Sequence, residues 1–330
     1  MKIKKLFIIL LIPFILFVSS FKVLNKNSAY IVLEKTTNRI LEGNNYDQQM
    51  LIASTAKILT AITVIENYDL NEKVYITKED TLETGSKVYL KENELISRKD
   101  LLYALMLRSA NDAASALSFN NSNEFITKMN ETAKKIGMLN SVFANASGLD
   151  EREFNLSTAY DLAILSSYAS NNELFVSIAS AHSHRCETNQ SEYLWNNKHK
   201  LVKNNDNFLW GKTGYTKKSG RILVSSYYKD NMHLFVVTIN DGNDWNNHKK
   251  YIDQLEKYSF ITVYKKGIYD SKLNVNYYIF VEDDIIIPLS RTEEENLKLH
   301  FRLFENYVLL DVYIQERLIC RKQLEIYKKN

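Results

Sequence analysis

The chain has 330 residues, 45% of them hydrophobic and 25% charged, a globular composition with length for one large domain and a small companion. Its 42 basic and 39 acidic residues leave a net charge of +3 spread along the sequence, which excludes a strongly basic nucleic-acid-binding surface. The two cysteines, Cys186 and Cys320, lie far apart and form no disulfide framework, so two separate thiols are expected.

Lys2, Lys4 and Lys5 precede an apolar run over residues 6–18, and Ser19 and Ser20 follow, the pattern of an export signal. The run is shorter than the about 18 apolar residues of a membrane span, so residues 1–20 read as a signal peptide cleaved after Ser20 in preference to an N-terminal anchor. Next, "AYIVLEK" (29–35) and "NRILEG" (38–43) read as two strands at one edge of an antiparallel sheet. From Ser54 the period changes. Ile58, Leu59, Ile62 and Ile65 recur at helical spacing, which puts Ser54 at a helix start with its side chain near that of Lys57.

Ser97 and Asp100 form a capping-box pattern for a helix through residue 107, and "RSAND" (108–112) breaks it. Asn111 then caps a short helix over 112–117, and an amphipathic helix is expected over 123–136. "GRILVSSYYKD" (220–230) and "MHLFVVTIND" (232–241) read as a central hairpin, followed by a helix over 245–258. In the tail, Leu297, Leu299, Phe301 and Leu303 alternate with Lys298, His300 and Arg302, the period of a half-buried strand. The expected class is α+β: a main domain over 28–264 with an antiparallel sheet flanked by helices, and a small β domain over 268–330.

A serine becomes a useful nucleophile only when a nearby base takes its proton, and a lysine serves as that base only when burial or neighbouring positive charge leaves it neutral. Lys57 lies one helical turn from Ser54, beside Ile58 and Leu59, with Ala53 and Ala56 leaving room for close packing. A surface lysine snorkelling from an amphipathic helix satisfies the same spacing. Two further segments weigh against that plainer account. In "RSANDAASAL", Ser109 and Asn111 project a hydroxyl and an amide from a break between helices. In "WGKTGYTKKSG", Lys212, Thr213 and Gly214 supply a cation, a hydroxyl and a residue without a side chain on a sheet-edge strand, where substrate backbone can approach closely.

Ser-x-x-Lys, Ser-x-Asn and Lys-Thr-Gly in this order resemble the three-part signature of the penicillin-binding proteins and serine β-lactamases. The blocks "IASTAKILTA", "TGSKVYLKENELISRKDLLYALMLRSANDAA", "NASGLD" with "LSTAYDLA", and "GKTGYTKKSGRILVSS" narrow the likeness. Over about residues 28–262 the chain resembles the D-alanyl-D-alanine carboxypeptidases, the low-molecular-weight penicillin-binding proteins. The tail resembles that family's C-terminal domain in position and texture.

That resemblance implies the β-lactamase/D,D-peptidase-like fold and a serine carboxypeptidase that trims the terminal D-alanine from peptidoglycan stem peptides, with β-lactams as inhibitors. It implies no metal, cofactor or nucleic-acid partner. By it, Ser54 is the acylated nucleophile, Lys57 its base, Ser109 the proton relay and Asn111 a partner of the substrate backbone. Lys212 supplies positive potential and Thr213 a hydroxyl for the terminal carboxylate. Gly214 gives room for substrate, and the N–H groups of Ser54 and Tyr215 form the oxyanion hole.

Where many members carry an arginine near the substrate's carboxylate, this chain offers His248, a group only partly charged near neutral pH. The surrounding Trp-Asn-x-His wording is similar to a sporulation-associated subgroup. The chain ends in "EIYKKN" after a strand-like run, without the amphipathic helix that anchors many members, so any membrane attachment is expected from the N-terminal segment. The expected location is the outer face of the cell membrane or the cell wall.

Several other patterns fail on spacing. "GKT" at 211–213 lacks the earlier glycine of a phosphate loop, with Asp206 in its place, and His182 and His184 have no further ligands at metal spacing. "DGNDWNNH" has Ile252 where a calcium loop needs its last glutamate. Two rivals stay open: a β-lactamase, because Glu151 and Asn155 in "EREFN" echo the Glu-x-x-x-Asn of such enzymes, and a β-lactam-sensing or wall-binding module without turnover.

Overall fold

The structure, a computed structural model, describes residues 27–329 apart from 152, 230 and 231. The export-signal reading of residues 1–20 lies outside the described residues. Among the described residues no helix is long and apolar enough to cross a membrane.

The main sheet has five antiparallel strands: β1 (Ala29–Glu34), β2 (Ile40–Asn44), β3 (Phe208–Thr216), β4 (Gly220–Lys229) and β5 (Met232–Ile239), in the order β2-β1-β5-β4-β3. The expected hairpin of β4 and β5 is therefore central, and the Lys-Thr-Gly strand β3 lies at an edge. Alternation along each strand divides the side chains between two faces. Ile31, Leu33, Ile222, Val224, Phe235 and Val237 join the cluster that holds the helices. Val32, Leu223, Leu234 and Val236 face the other way, toward Leu255 and the half-buried Trp245 and Tyr251.

Helix α1 (Lys57–Asn67) is central to the first face, together with α2 (Asn111–Leu117) and α3 (Ala159–Ala169). Its burial exceeds the amphipathic expectation: every residue from Lys57 to Val64 is buried, Thr60 and Thr63 included. The Thr60 hydroxyl donates to Ala146 O at 2.8 Å, which lets a polar group sit inside the core at little cost. The second face is covered by α4 (Asp244–Asp253). This helix is shorter than expected, because a 3₁₀ turn (Gln254–Lys257) follows it and Tyr258 already begins a strand.

That strand, β6 (Tyr258–Tyr264), ends the span expected for the main domain and pairs across into the expected β domain. It pairs with β9 (Ile285–Ser290), beyond β7 (Gly267–Asp270) and β8 (Tyr277–Val281). Its Ile261, Val263 and Tyr264 pack on the C-terminal core, while Tyr258 at its start packs on the second face of the main sheet and donates to Leu41 O at 3.0 Å, so the strand runs from one domain into the other. A five-stranded sheet completes that domain, with β10 (Leu297–Leu303), β11 (Tyr307–Ile314) and β12 (Arg317–Lys328) in the order β7-β8-β12-β11-β10. The expected alternation holds in β10, where Leu297, Leu299, Phe301 and Leu303 are half-buried and the residues between them exposed. The two domains meet at Arg39, which is 7% exposed, donates to Pro288 O and pairs with Glu293 at 2.5 Å. Cys186 and Cys320 are buried thiols in different domains.

Candidate active site

Ser54 belongs to a 3₁₀ turn (Ala53–Ala56) that feeds directly into α1. Side chains on a helix lean toward its N-terminus, and Lys57, the first residue of α1, reaches back to the turn in this way. Its Nζ lies 3.2 Å from Ser54 Oγ, 2.7 Å from Asn111 Oδ1, and donates also to Ser147 O. Lys57 has no exposed surface. Burial, helped by Lys198, lowers its pKa to about 7 against the opposing charges of Glu83 and Asp112. The positive end of α1 acts in the same direction.

The second serine is placed by an irregular helix end. The helix Arg98–Tyr103, capped by Ser97 through a 3.0 Å bond from Asp100 N, runs into a π turn (Ala104–Arg108), and Ser109 follows with φ +61°. A non-glycine residue in this left-handed region costs conformational energy, and here it turns the chain between the π turn and α2. Ser109 Oγ accepts from Lys212 Nζ at 2.8 Å. Asn111 differs from expectation as a cap: Ala110 holds that position, and Asn111 is the first residue of α2. Its side chain instead accepts from Lys57 and donates to Thr84 O at 2.6 Å.

Strand β3 carries the third group. Lys212 is 1% exposed and donates to Ser109 Oγ and to Thr213 O, each at 2.8 Å. Burial, with Lys57 and Lys198 nearby, holds its pKa well below the ordinary lysine value. A side chain on Gly214 would start 3.3 Å from Ser54 N and from Ile52 O, so the missing Cβ lets the strand lie against the Ser54 turn. Tyr215, the next residue, is exposed. Ser54, Ser109, Thr213, Gly214 and Tyr215 thus line one cleft of about 710 Å3, with Lys57 and Lys212 buried behind it.

Sequence reasoning assigned no role to Ser147 and Gly148. Gly148 has φ +82°, and a Cβ there would fall 1.9 Å from Ala53 O, so this loop backs the turn that carries Ser54. Asn155 holds the loop, accepting from Ala144 N at 2.8 Å and donating to Asn145 O at 2.8 Å. The asparagine of "EREFN" is thus a buried loop staple, while Glu151 is exposed. The glycine of "NASGLD" was the available signal.

His248 corrects the sequence reading. It is 0% exposed, with Nδ1 2.9 Å from Ser225 Oγ and Nε2 3.1 Å from Thr238 Oγ1, inside the layer between α4 and the sheet. Burial keeps its pKa well below the ordinary value, and it presents no charge to the cleft. Position in the helix decides this: His248 follows Asp244 by four residues, and both point at the sheet.

Residues 22–243 match the D-alanyl-D-alanine carboxypeptidase family. The chain is similar to the D-alanyl-D-alanine carboxypeptidase DacF of Bacillus subtilis, 29% identical over 216 residues, 63% of this chain and 55% of that protein. It therefore spans about half the length of that relative. It is 31% identical to a D-alanyl-D-alanine endopeptidase of Haemophilus influenzae over 252 residues, 73% of this chain and 85% of that one. The fold is similar to penicillin binding protein 5 from Haemophilus influenzae with a TM-score of 0.75 at 19% identity, covering 91% of this chain and 96% of that one.

Proposed function

We propose a function on one premise: this chain belongs to the D-alanyl-D-alanine carboxypeptidase family. It acts outside the cytoplasm as a serine D,D-carboxypeptidase on peptidoglycan stem peptides ending in D-Ala-D-Ala, and β-lactams acylate it. The observation that carries this reading is the buried Lys57 ammonium, 3.2 Å from Ser54 Oγ, with its pKa lowered to about 7.

The geometry supports the following chemistry. Neutral Lys57 takes the Ser54 proton as Oγ attacks the carbonyl carbon of the penultimate D-alanine. The oxyanion that forms is stabilised by the N–H groups of Ser54 and Tyr215, each such donor contributing about 3 kcal/mol. The C–N bond then breaks, and the departing amine of D-alanine receives a proton through Ser109, whose hydroxyl is held by Lys212. Water hydrolyses the ester, giving the shortened peptide and free Ser54. Asn111 steadies Lys57 and has a second amide N–H for the substrate backbone, while Thr213 serves the terminal carboxylate.

Incubation with a peptide ending in D-Ala-D-Ala and with a labelled penicillin tests this. The expected result is D-alanine release and a long-lived label, both absent in Ser54→Ala. Rapid penicillin turnover without D-alanine release would make the protein a β-lactamase, and stable labelling without either hydrolysis would make it a sensor.

A further inference from the structure

A substrate that ends in a carboxylate brings a full negative charge to the side of the cleft given above to Thr213, and His248 is buried elsewhere. Three cations line that cleft outside the buried site: Lys198, Lys200 and Arg221. Arg221 lies one strand from the Lys-Thr-Gly motif, with Arg221 opposite Tyr215 and Ile222 opposite Gly214 in the β3–β4 ladder. Its guanidinium is fixed on one edge by Asp244, a carboxylate side chain only 4% exposed. Nε donates to Oδ2 at 3.1 Å and Nη2 to Oδ1 at 2.7 Å. Asp244 Oδ1 also accepts from Trp245 N at 2.8 Å, which ties the fork to the start of α4.

The other edge of the fork is available, since the Arg221 side chain is 43% exposed. A planar guanidinium held in place matches the two oxygens of a carboxylate without further loss of side-chain freedom, and it stays charged at every relevant pH. Lys198 is a poorer candidate, because burial and Arg108 lower its pKa and it leans on Ser86 Oγ at 3.4 Å.

We propose that Arg221, oriented by Asp244, is the specificity-determining cation for the substrate's terminal carboxylate, in the place that sequence position assigned to His248. This rests on the carboxypeptidase reading. It makes Asp244 a positioning residue that acts through Arg221.

The test compares acids with neutral counterparts: a D-Ala-D-Ala peptide against its C-terminal amide, and benzylpenicillin against its methyl ester. Arg221→Gln should lose roughly 10- to 100-fold in kcat/KM on the peptide acid, mostly through KM, and similarly in acylation by benzylpenicillin. The amide and ester should change little. Arg221→Lys should recover part of the loss, and Asp244→Asn should show a smaller loss with the same acid selectivity. Equal losses on acid and neutral forms, or acid selectivity removed by Lys198→Ala or Lys200→Ala and not by Arg221→Gln, would overturn the assignment. The penicillin pair needs no peptide turnover, so absence of D-alanine release would count against the proposed function while Arg221 is still decided by acid against ester.

Discussion

The Lys57 ammonium nitrogen lies 3.2 Å from the Ser54 hydroxyl and has no exposed surface of its own. Burial makes the charged form of such a group expensive, and that cost is what suits it to the base role proposed above near neutral pH. It also links the chemistry to the stability of the fold.

The first consequence is a pH profile. The proposed mechanism requires neutral Lys57 for acylation, so its rate should rise with pH up to about 7 and level off above. Stability should move in the same direction over a higher window. The unfolded chain holds the Lys57 proton to about its ordinary value of 10.5, while the folded chain loses it near 7. Between these values the unfolded state binds more protons, so stability rises with pH and falls as pH drops toward 7. Penicillin acylation rates and urea midpoints across pH 6–10 check both.

Lys57→Met keeps the length and burial of the side chain but removes the amine proposed as the base. Acylation should fall by about 10²–10⁴, the usual contribution of a positioned general base. The Lys57 part of the stability rise above pH 7 should vanish with it. Stopped-flow labelling and urea titration of the variant measure the two losses, and normal acylation would refute the role.

Gly148→Ala should damage the site without touching a reactive group. The new Cβ would meet Ala53 O at 1.9 Å on a backbone with φ +82°, so the turn that carries Ser54 must shift. A loss of about 2–4 kcal/mol in stability is expected, together with slower acylation. Thermal melts and labelling rates on one preparation would show both.

His248→Ala should behave as a core change. It leaves the Ser225 and Thr238 hydroxyls short of a partner, at a cost of about 1–3 kcal/mol. KM for a carboxylate-ended peptide should stay near that of the wild type. A raised KM with unchanged stability would return His248 to the cleft.

Much of the scaffold could be read along the chain because local period carries it. The alternation in residues 297–303 and the β-branched runs of β4 and β5 became strands, and the helical recurrence after Ser54 became α1. The depth of α1 was hidden by Thr60 and Thr63, polar residues that are buried all the same, Thr60 through its bond to Ala146 O in a distant loop. The link that β6 makes between the domains was hidden because it looks like any strand until β9 pairs with it. At the site, the resemblance of Ser-x-x-Lys, Ser-x-Asn and Lys-Thr-Gly to a known three-part signature pointed to Ser54, Lys57, Ser109 and Lys212. Contacts made by backbone, such as Ser147 O on Lys57, carry almost no residue-type signal. His248 and Arg221 differ for another reason: which way a side chain faces is set by packing and strand register, which sequence position alone does not contain.

The most direct measurement is the intact mass of the protein after brief exposure to penicillin, followed by peptide mapping of the adduct. One penicilloyl group on Ser54, with none on the Ser54→Ala variant, is the predicted result. An adduct on another residue, or equal labelling of Ser54→Ala, would contradict the assignment of Ser54 as the nucleophile served by Lys57.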